Sequence, residues 1–191
     1  MKQATAHYND REAEQAIAML HRAVELTELV PDEDPLVRRQ AYQAYYNLVD
    51  YYFETDRPDN AKPYCDKAIE LSKALQKTDP GESEWVRLTS FSHRLTGRVA
   101  LAQEKWGDAL EQFTAMLKVR ESLVDLEPGV ARRKQELGDA HTWIGEAARK
   151  DGQLDKALKH DAEACAIFAS LMEADPGMFD YAIRLSNAEL R

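Results

Sequence analysis

Apolar residues recur at steps of three and four along most of the chain, a pattern that predicts amphipathic helices. In the segment 11–30 the apolar positions are Ala13, Ala16, Ile17, Leu20, Ala23, Val24, Leu26 and Val30. The same pattern predicts helices at 36–55, 60–77, 83–104, 108–126, 130–150 and 154–174, and a last one from residue 178. Short segments rich in Pro, Gly and Asp separate them, and strand-like alternation is absent. The predicted fold class is therefore all-α, with about eight helices.

The segments that end every second helix recur at a fixed interval. Asp79-Pro80-Gly81, Glu127-Pro128-Gly129 and Asp175-Pro176-Gly177 are spaced by 48 residues. The same step connects four further sets, which are Ala13, Ala61, Ala109 and Ala157; Leu75, Leu123 and Leu171; His93 and His141; and Gly97 and Gly145. Two helices of about 20 residues, each roughly 30 Å long, fill one such period. Stacked antiparallel pairs of this kind predict an α-solenoid.

The repeated segments resemble the tetratricopeptide repeat family. The turn K-W-G-D-A-L at 105–110 is similar to that family's inter-helix turn, with Ala109 as the small residue that opens the second helix. Gly97 and Gly145 resemble its small residue in the first helix, where a neighbouring helix comes close. Phe113 and Met116 fall where the family has an aromatic and then an apolar residue. The resemblance implies a right-handed superhelix.

The period of 48 is longer than the roughly 34 residues usual in the family, since each helix is longer by about two turns. The copies are similar to long-helix arrays of bacterial multidomain proteins that repeat D-P-G-x-x-x-W. Here that motif is seen as Asp79-Pro80-Gly81 followed by Trp85. Arg133 and Tyr181 occupy the equivalents of Trp85.

The domain organisation follows from this register. We expect a flexible N-terminus at 1–10 and a single repeat domain at 11–191. Its parts are a capping helix at 11–30, helix pairs at 35–78, 82–126 and 130–174, and a C-terminal helix at 178–191. Because the repeat pattern stays strong almost to the end, we expect the chain to be part of a longer protein. A shortened capping helix at 178–191 is the alternative.

Charge and motifs narrow the classes of function. A net charge of −9 argues against nucleic acid as the main partner, and no apolar run approaches the roughly 20 residues of a membrane span. The first ten residues lack an apolar signal core, and both cysteines lie in helical patterns, so we expect a cytoplasmic protein. A phosphate-binding loop, G-x-S-x-G and H-E-x-x-H are absent, so we expect no enzyme and no cofactor. His93 and His141 are expected about 10 Å apart, too far to share a metal ion.

The candidate site is the concave face, which in this family is lined by the first helix of each pair. That register predicts a partner-binding groove with nine residues: Tyr46, Asp50, Phe53, Arg94, Arg98, Leu101, Thr142, Glu146 and Arg149. Arg94 and Arg98 lie one turn apart and can hold a carboxylate or phosphate through bidentate hydrogen bonds. The alternative is that they are solvated or paired with Glu146 and Asp50.

Tyrosine and phenylalanine are frequent in the predicted helix at 36–55. Tyr45 and Tyr52 are expected in the core, whereas Tyr42, Tyr46 and Phe53 are the candidates for exposed recognition. Some family members hold a C-terminal carboxylate with Lys and Asn. The residues at those positions here are Tyr46, Asp50, Leu95, Ala140 and Trp143, so that clamp is absent.

The favoured hypothesis is a scaffold that binds a peptide or helix of a partner protein in this groove. One alternative is a regulatory or sensor segment of a larger bacterial signalling protein. Another is self-assembly into homo-oligomers through exposed repeat ends.

Overall fold

A computed structural model describes residues 2–28 and 34–176, with side chains of the first helix described from residue 13 to 27. These residues form seven α-helices: α1 Lys2–Glu28, α2 Pro35–Glu54, α3 Lys62–Thr78, α4 Ser83–Ala102, α5 Trp106–Leu126, α6 Ala131–Lys150 and α7 Leu154–Ala174. A short 3₁₀ helix at Pro58–Ala61 precedes α3, and the described part of the chain contains no strand. The predicted fold class, an all-α solenoid of antiparallel helix pairs, is confirmed.

The backbone divides into two compact units, Met1–Trp85 and Val86–Arg191. The first unit contains α1, α2 and α3, and the boundary falls near the start of α4. Description of residues 11–191 as one repeat domain, and the right-handed superhelix, stay predictions. The predicted helix at 178–191 lies outside the described residues.

The first helix begins earlier than the apolar pattern indicated. We expected a flexible segment at 1–10 and a helix from residue 11, whereas α1 begins at Lys2. The expectation placed the helix start where the apolar repeat begins. Residues 2–10 are polar, but they contain no Gly or Pro, so nothing in them interrupts a helical backbone that continues into the amphipathic part.

Each helix pair is closed by the same turn. Asp56, Glu104 and Gly152 all have positive φ, of 56°, 57° and 77°, and they are spaced by 48 residues. The following amides bond back across the end of the first helix, from Arg57 N to Tyr52 O (2.7 Å) and at the two equivalent positions (2.9 and 2.8 Å). This is the arrangement in which a left-handed residue satisfies the last carbonyls of a helix.

Two features of the sequence start α2, a capping side chain and a proline in the first turn. Asp34 caps the helix, since its Oδ1 accepts a hydrogen bond from the Leu36 amide at 2.8 Å. Pro35 occupies the first turn, where its missing amide hydrogen costs nothing. The helix thus begins at Pro35, one residue before the start that the apolar pattern predicted.

Glycines in the first helices set the distance between paired helices. A Cβ added at Gly97 of α4 would overlap the Phe113 ring of α5. A Cβ added at Gly145 of α6 would overlap the Asp161 carboxylate of α7. Both glycines had been predicted to lie where a neighbouring helix comes close, and that prediction is confirmed. The side chain opposite each glycine occupies the volume that a Cβ would need.

The first unit is held together by a polar contact that the sequence did not reveal. His21 of α1 lies between two tyrosine hydroxyls, with Nε2 at 3.0 Å from Tyr52 Oη and Nδ1 at 3.3 Å from Tyr64 Oη. The tyrosine rings stack at a centroid distance of 5.8 Å. The imidazole thus connects α1 to both α2 and α3.

Substitution of Gly97 by Ala tests the close approach of α4 and α5. We expect G97A to lower the free energy of unfolding by about 1–3 kcal/mol, because Phe113 must move to admit the methyl group. Urea unfolding followed by circular dichroism measures it.

The matched control is Gly107→Ala in α5, where an added Cβ meets no atom within 4 Å. G107A should leave stability unchanged or raise it by up to about 1 kcal/mol, as expected from helix propensity. Equal effects of the two substitutions would contradict the packing argument.

Candidate partner-binding face

One face of α4 carries a cationic and aromatic stack. The guanidinium carbon of Arg87 lies 4.9 Å from the centroid of the Phe91 ring, and that of Arg94 lies 5.4 Å from the same centroid. The three residues are spaced by one turn, so they lie in a row along the helix. Guanidinium groups over an aromatic face attract its quadrupole. The contacts therefore order two arginines on one face.

All nine residues predicted for the groove are half-buried in the structure. Arg94 and Arg98 lie on α4 and Thr142 and Glu146 on α6, all within the second unit. The Thr142 hydroxyl donates to the Gly138 carbonyl at 3.1 Å, so it is turned toward its own helix.

Two of the nine residues, at equivalent positions of α4 and α6, have contacts within the second unit. Leu101 packs against the buried cluster that contains Phe113. At the equivalent position in the next pair, Arg149 Nη2 donates to Asp161 Oδ2 of α7. Leu101 and Arg149 lie near the ends of α4 and α6, and the Arg149 side chain reaches α7. Contact of Arg149 with a partner stays a prediction.

Tyr46, Asp50 and Phe53 lie on α2 in the first unit. The Tyr46 ring is 6.5 Å from that of Tyr42, centroid to centroid. Tyr42, which we had expected to be exposed for recognition, is only 2 % exposed, so that expectation was wrong. Its large ring instead belongs to the core, as do Tyr45 and Tyr52.

The most buried charged side chain was missed by the sequence analysis. Arg120 of α5 is 2 % exposed. Its Nε donates to Ser90 Oγ of α4 at 3.0 Å, and its Nη1 donates to the Glu136 carbonyl of α6. One guanidinium therefore connects three helices of the second unit. The register offered a signal, because the positions equivalent to 120 are the buried Ser72 and Phe168, and an arginine there is unexpected.

The Glu136 carboxylate gathers further arginines around this point. Its oxygens lie 3.8 Å from Arg87 Nη1, 3.3 Å from Arg132 Nε and 3.4 Å from Arg133 Nη1. Glu136 itself is buried, whereas the Arg132 side chain is 66 % exposed. Because Arg87 also covers Phe91, the ion pair with Glu136 helps to fix the stack on α4.

Residues at equivalent positions form one side-chain pair in each helix pair. They are Tyr45 with Tyr64 (ring centroids 6.3 Å apart), His93 with Gln112 (3.0 Å) and His141 with His160 (2.9 Å). Sequence reasoning compared His93 with His141 and missed the actual partners, since it considered neighbouring first helices only. The chemistry of the pair changes from repeat to repeat while its position is retained.

In the third of these pairs, the pKa values of both His141 and His160 are lowered. Burial lowers the pKa of His141, and the adjacent His160 lowers it further. Burial likewise lowers the pKa of His160, with a contribution from Lys156 and Lys159. Each imidazole is therefore harder to protonate in the folded chain than in the unfolded one.

Across residues 2–28 and 34–176, no group of three or more His, Cys, Asp or Glu side chains is arranged to hold a metal ion. In those same residues, no helix combines the length and apolar character that crossing a bilayer requires.

Two family models, both described as tetratricopeptide repeat, match residues 42–75 and 94–177. Together the matches span more than half of the chain, and the chain belongs to the tetratricopeptide repeat family. Proteins of this family generally mediate protein–protein interaction or scaffolding and are typically non-enzymatic. A comparison with curated proteins found no match.

Solved structures similar to this chain include a thermophilic tetratricopeptide repeat protein, TTC0263, from Thermus thermophilus. It is 18% identical, with a TM-score of 0.41, over 100% of this chain and 97% of that one. The DHF119 filament is 10% identical with a TM-score of 0.39, over 94% of this chain and 92% of that one. The de novo designed helical repeat protein DHR64 is 15% identical with a TM-score of 0.37, at the same coverage.

Removal of the buried guanidinium tests its role in the second unit. We expect Arg120→Met to lower the free energy of unfolding by about 2–4 kcal/mol, because the Ser90 hydroxyl and the Glu136 carbonyl each lose a buried partner. Urea unfolding measures the change.

Arg132→Met provides the control, since it removes a guanidinium that also contacts Glu136 but is largely exposed. The expected loss is below about 1 kcal/mol. If both variants lose the same stability, Arg120 does not hold the three helices together.

Proposed function

We propose that the protein is a non-enzymatic protein-interaction module whose first helices α4 and α6 bind a segment of a partner protein. The partner segment carries acidic and apolar side chains together. The observation that supports this proposal best is the stack of Arg87 and Arg94 on Phe91. It combines two cations with an apolar ring in a face that is held in place by the buried Glu136.

Recognition of the acidic group rests on Arg94 and Arg98. The two side chains are one turn apart on α4 and half-buried, so less side-chain entropy is lost when a ligand binds than at a fully exposed site. A planar guanidinium forms paired hydrogen bonds with a carboxylate, which a lysine ammonium does not. An aspartate, a glutamate or a C-terminal carboxylate of the partner fits this chemistry.

The apolar part of the segment would lie on the Phe91 ring, and Glu146 of α6 would select a cationic or hydrogen-bond donating side chain beside it. Such mixed recognition fixes the register of an extended peptide or helix. Tyr46, Asp50 and Phe53 of α2 stay predictions for a binding face of the first unit by itself. Arg149 contributes only if its ion pair with Asp161 is exchanged for the partner.

We further propose that the repeat is the long-helix form with a period of 48 residues. Support comes from the equal lengths of equivalent helices, since α4 and α6 have 20 residues and α5 and α7 have 21. The positive φ values at Asp56, Glu104 and Gly152 follow the same interval.

Charge reversal on α4 tests the proposed face. The double variant Arg94→Glu with Arg98→Glu should abolish capture of the partner in a pull-down from source cells, because an acidic segment is then repelled. Crosslinks from the wild-type complex should map to α4 and α6.

A control with the same change in charge is Lys118→Glu with Lys156→Glu on the second helices α5 and α7. This variant should capture the partner as the wild type does. Unchanged capture by the R94E/R98E variant, or crosslinks confined to α5 and α7, would refute the assignment of the face.

A further inference from the structure

The contact between His141 and His160 has a donor–acceptor requirement that the other equivalent pairs lack. The two Nδ1 atoms are 2.9 Å apart and the ring centroids 5.1 Å apart. At this distance one nitrogen must carry the hydrogen and the other must offer its lone pair. The hydrogen bond therefore requires that at least one imidazole be neutral.

We propose that the His141–His160 hydrogen bond is an acid-sensitive clasp between α6 and α7. It is closed while one imidazole is neutral and opens when both become protonated. Protonation of the acceptor replaces its lone pair with a second N–H, so two donors face each other. It also places two positive charges on rings that are in contact.

The surrounding charges act in opposing directions. Lys159 of α7 disfavours protonation of both rings and Lys156 that of His160, while Glu163 favours it in both rings and Asp161 favours it in His160. The Asp161 carboxylate is itself held by Arg149 of α6. For both histidines burial is the largest cause of the lowered pKa.

The direction of the pH dependence follows from these shifts. The unfolded histidines keep a pKa near the ordinary 6.5, whereas both are lower in the folded chain. Below about pH 6.5 the unfolded state thus binds more protons than the folded state. The stability contributed by the neutral pair is fully present above that pH and is lost as the pH falls toward the folded pKa values.

The preceding helix pair contains a natural version without this sensitivity. His93 Nδ1 lies 3.0 Å from Gln112 Oε1, at the position equivalent to His141–His160. The amide oxygen only accepts, so the histidine donates whether it is neutral or charged. Exchange of residues between the two pairs therefore adds or removes the clasp at a fixed place in the fold.

Opening of the clasp would affect α6 around His141, next to Thr142 in the sequence. The inference does not depend on the proposed partner, since it concerns only the interface of α6 and α7. Its test is accordingly a measurement of stability and ionisation.

The experiment compares the wild type with His160→Gln and Gln112→His. Urea midpoints are measured at about pH 7.5 and about pH 5.5, on either side of the ordinary histidine pKa. The urea midpoint of the wild type should fall on acidification. The midpoint of H160Q should fall by less than half as much. The midpoint of Q112H, which has a second histidine pair, should fall by more than that of the wild type. Amide hydrogen exchange at about pH 5.5 should accelerate in α6 and α7 of the wild type relative to H160Q.

Equal losses in the wild type and H160Q would overturn the proposal. If a variant fails to fold at about pH 7.5, the proposal is tested on the wild type alone by NMR titration of its histidines. NMR titration of the wild type should show both imidazoles titrating below 6.5, and titration of both at or above that value would overturn it as well.

Discussion

The close approach of paired helices constrains the rest of this structure. Where two helices touch, there is room for one large side chain in each layer, and its opposite position must be small. Phe113 occupies the space beside Gly97, Phe168 the space beside Gly138, and Arg120 reaches Ser90. In α2 and α3, the residues equivalent to these last two pairs are the buried Tyr42 on the first helix and the small Ser72 on the second. The large residue is thus on the first helix in this pair and on the second helix in the other two.

The same constraint determines what the buried positions between paired helices can accept. Residues toward the paired helix are fixed by volume, and a polar group there needs a partner, as Arg120 and Asp161 have in Glu136 and Arg149. The stack around Phe91 is also connected to the core, because Arg87 covers the ring and pairs with the buried Glu136.

Periodicity accounts for what was predictable from the sequence. The helices, their pairing and the small residues at Gly97 and Gly145 all follow from spacing, because backbone turns and close contacts must recur in every copy. Repeat spacing does not predict which side chains contact each other across an interface when those side chains differ between copies. Arg120, the His21 bridge and the pairing of His141 with His160 are all of this kind. The ion pair of Arg149 with Asp161 is of the same kind.

The complementarity of size across paired helices can be measured directly by moving one pair into another copy. Val49 and Cys65, both fully buried, stand at the positions equivalent to Gly97 and Phe113. A double-mutant cycle with Gly97→Val and Phe113→Cys, followed by urea unfolding, measures the coupling of the two positions. If size is conserved across the pair, the double variant should be more stable than the sum of the single changes predicts, by about 1–3 kcal/mol. Additive losses, with no coupling, would contradict the account.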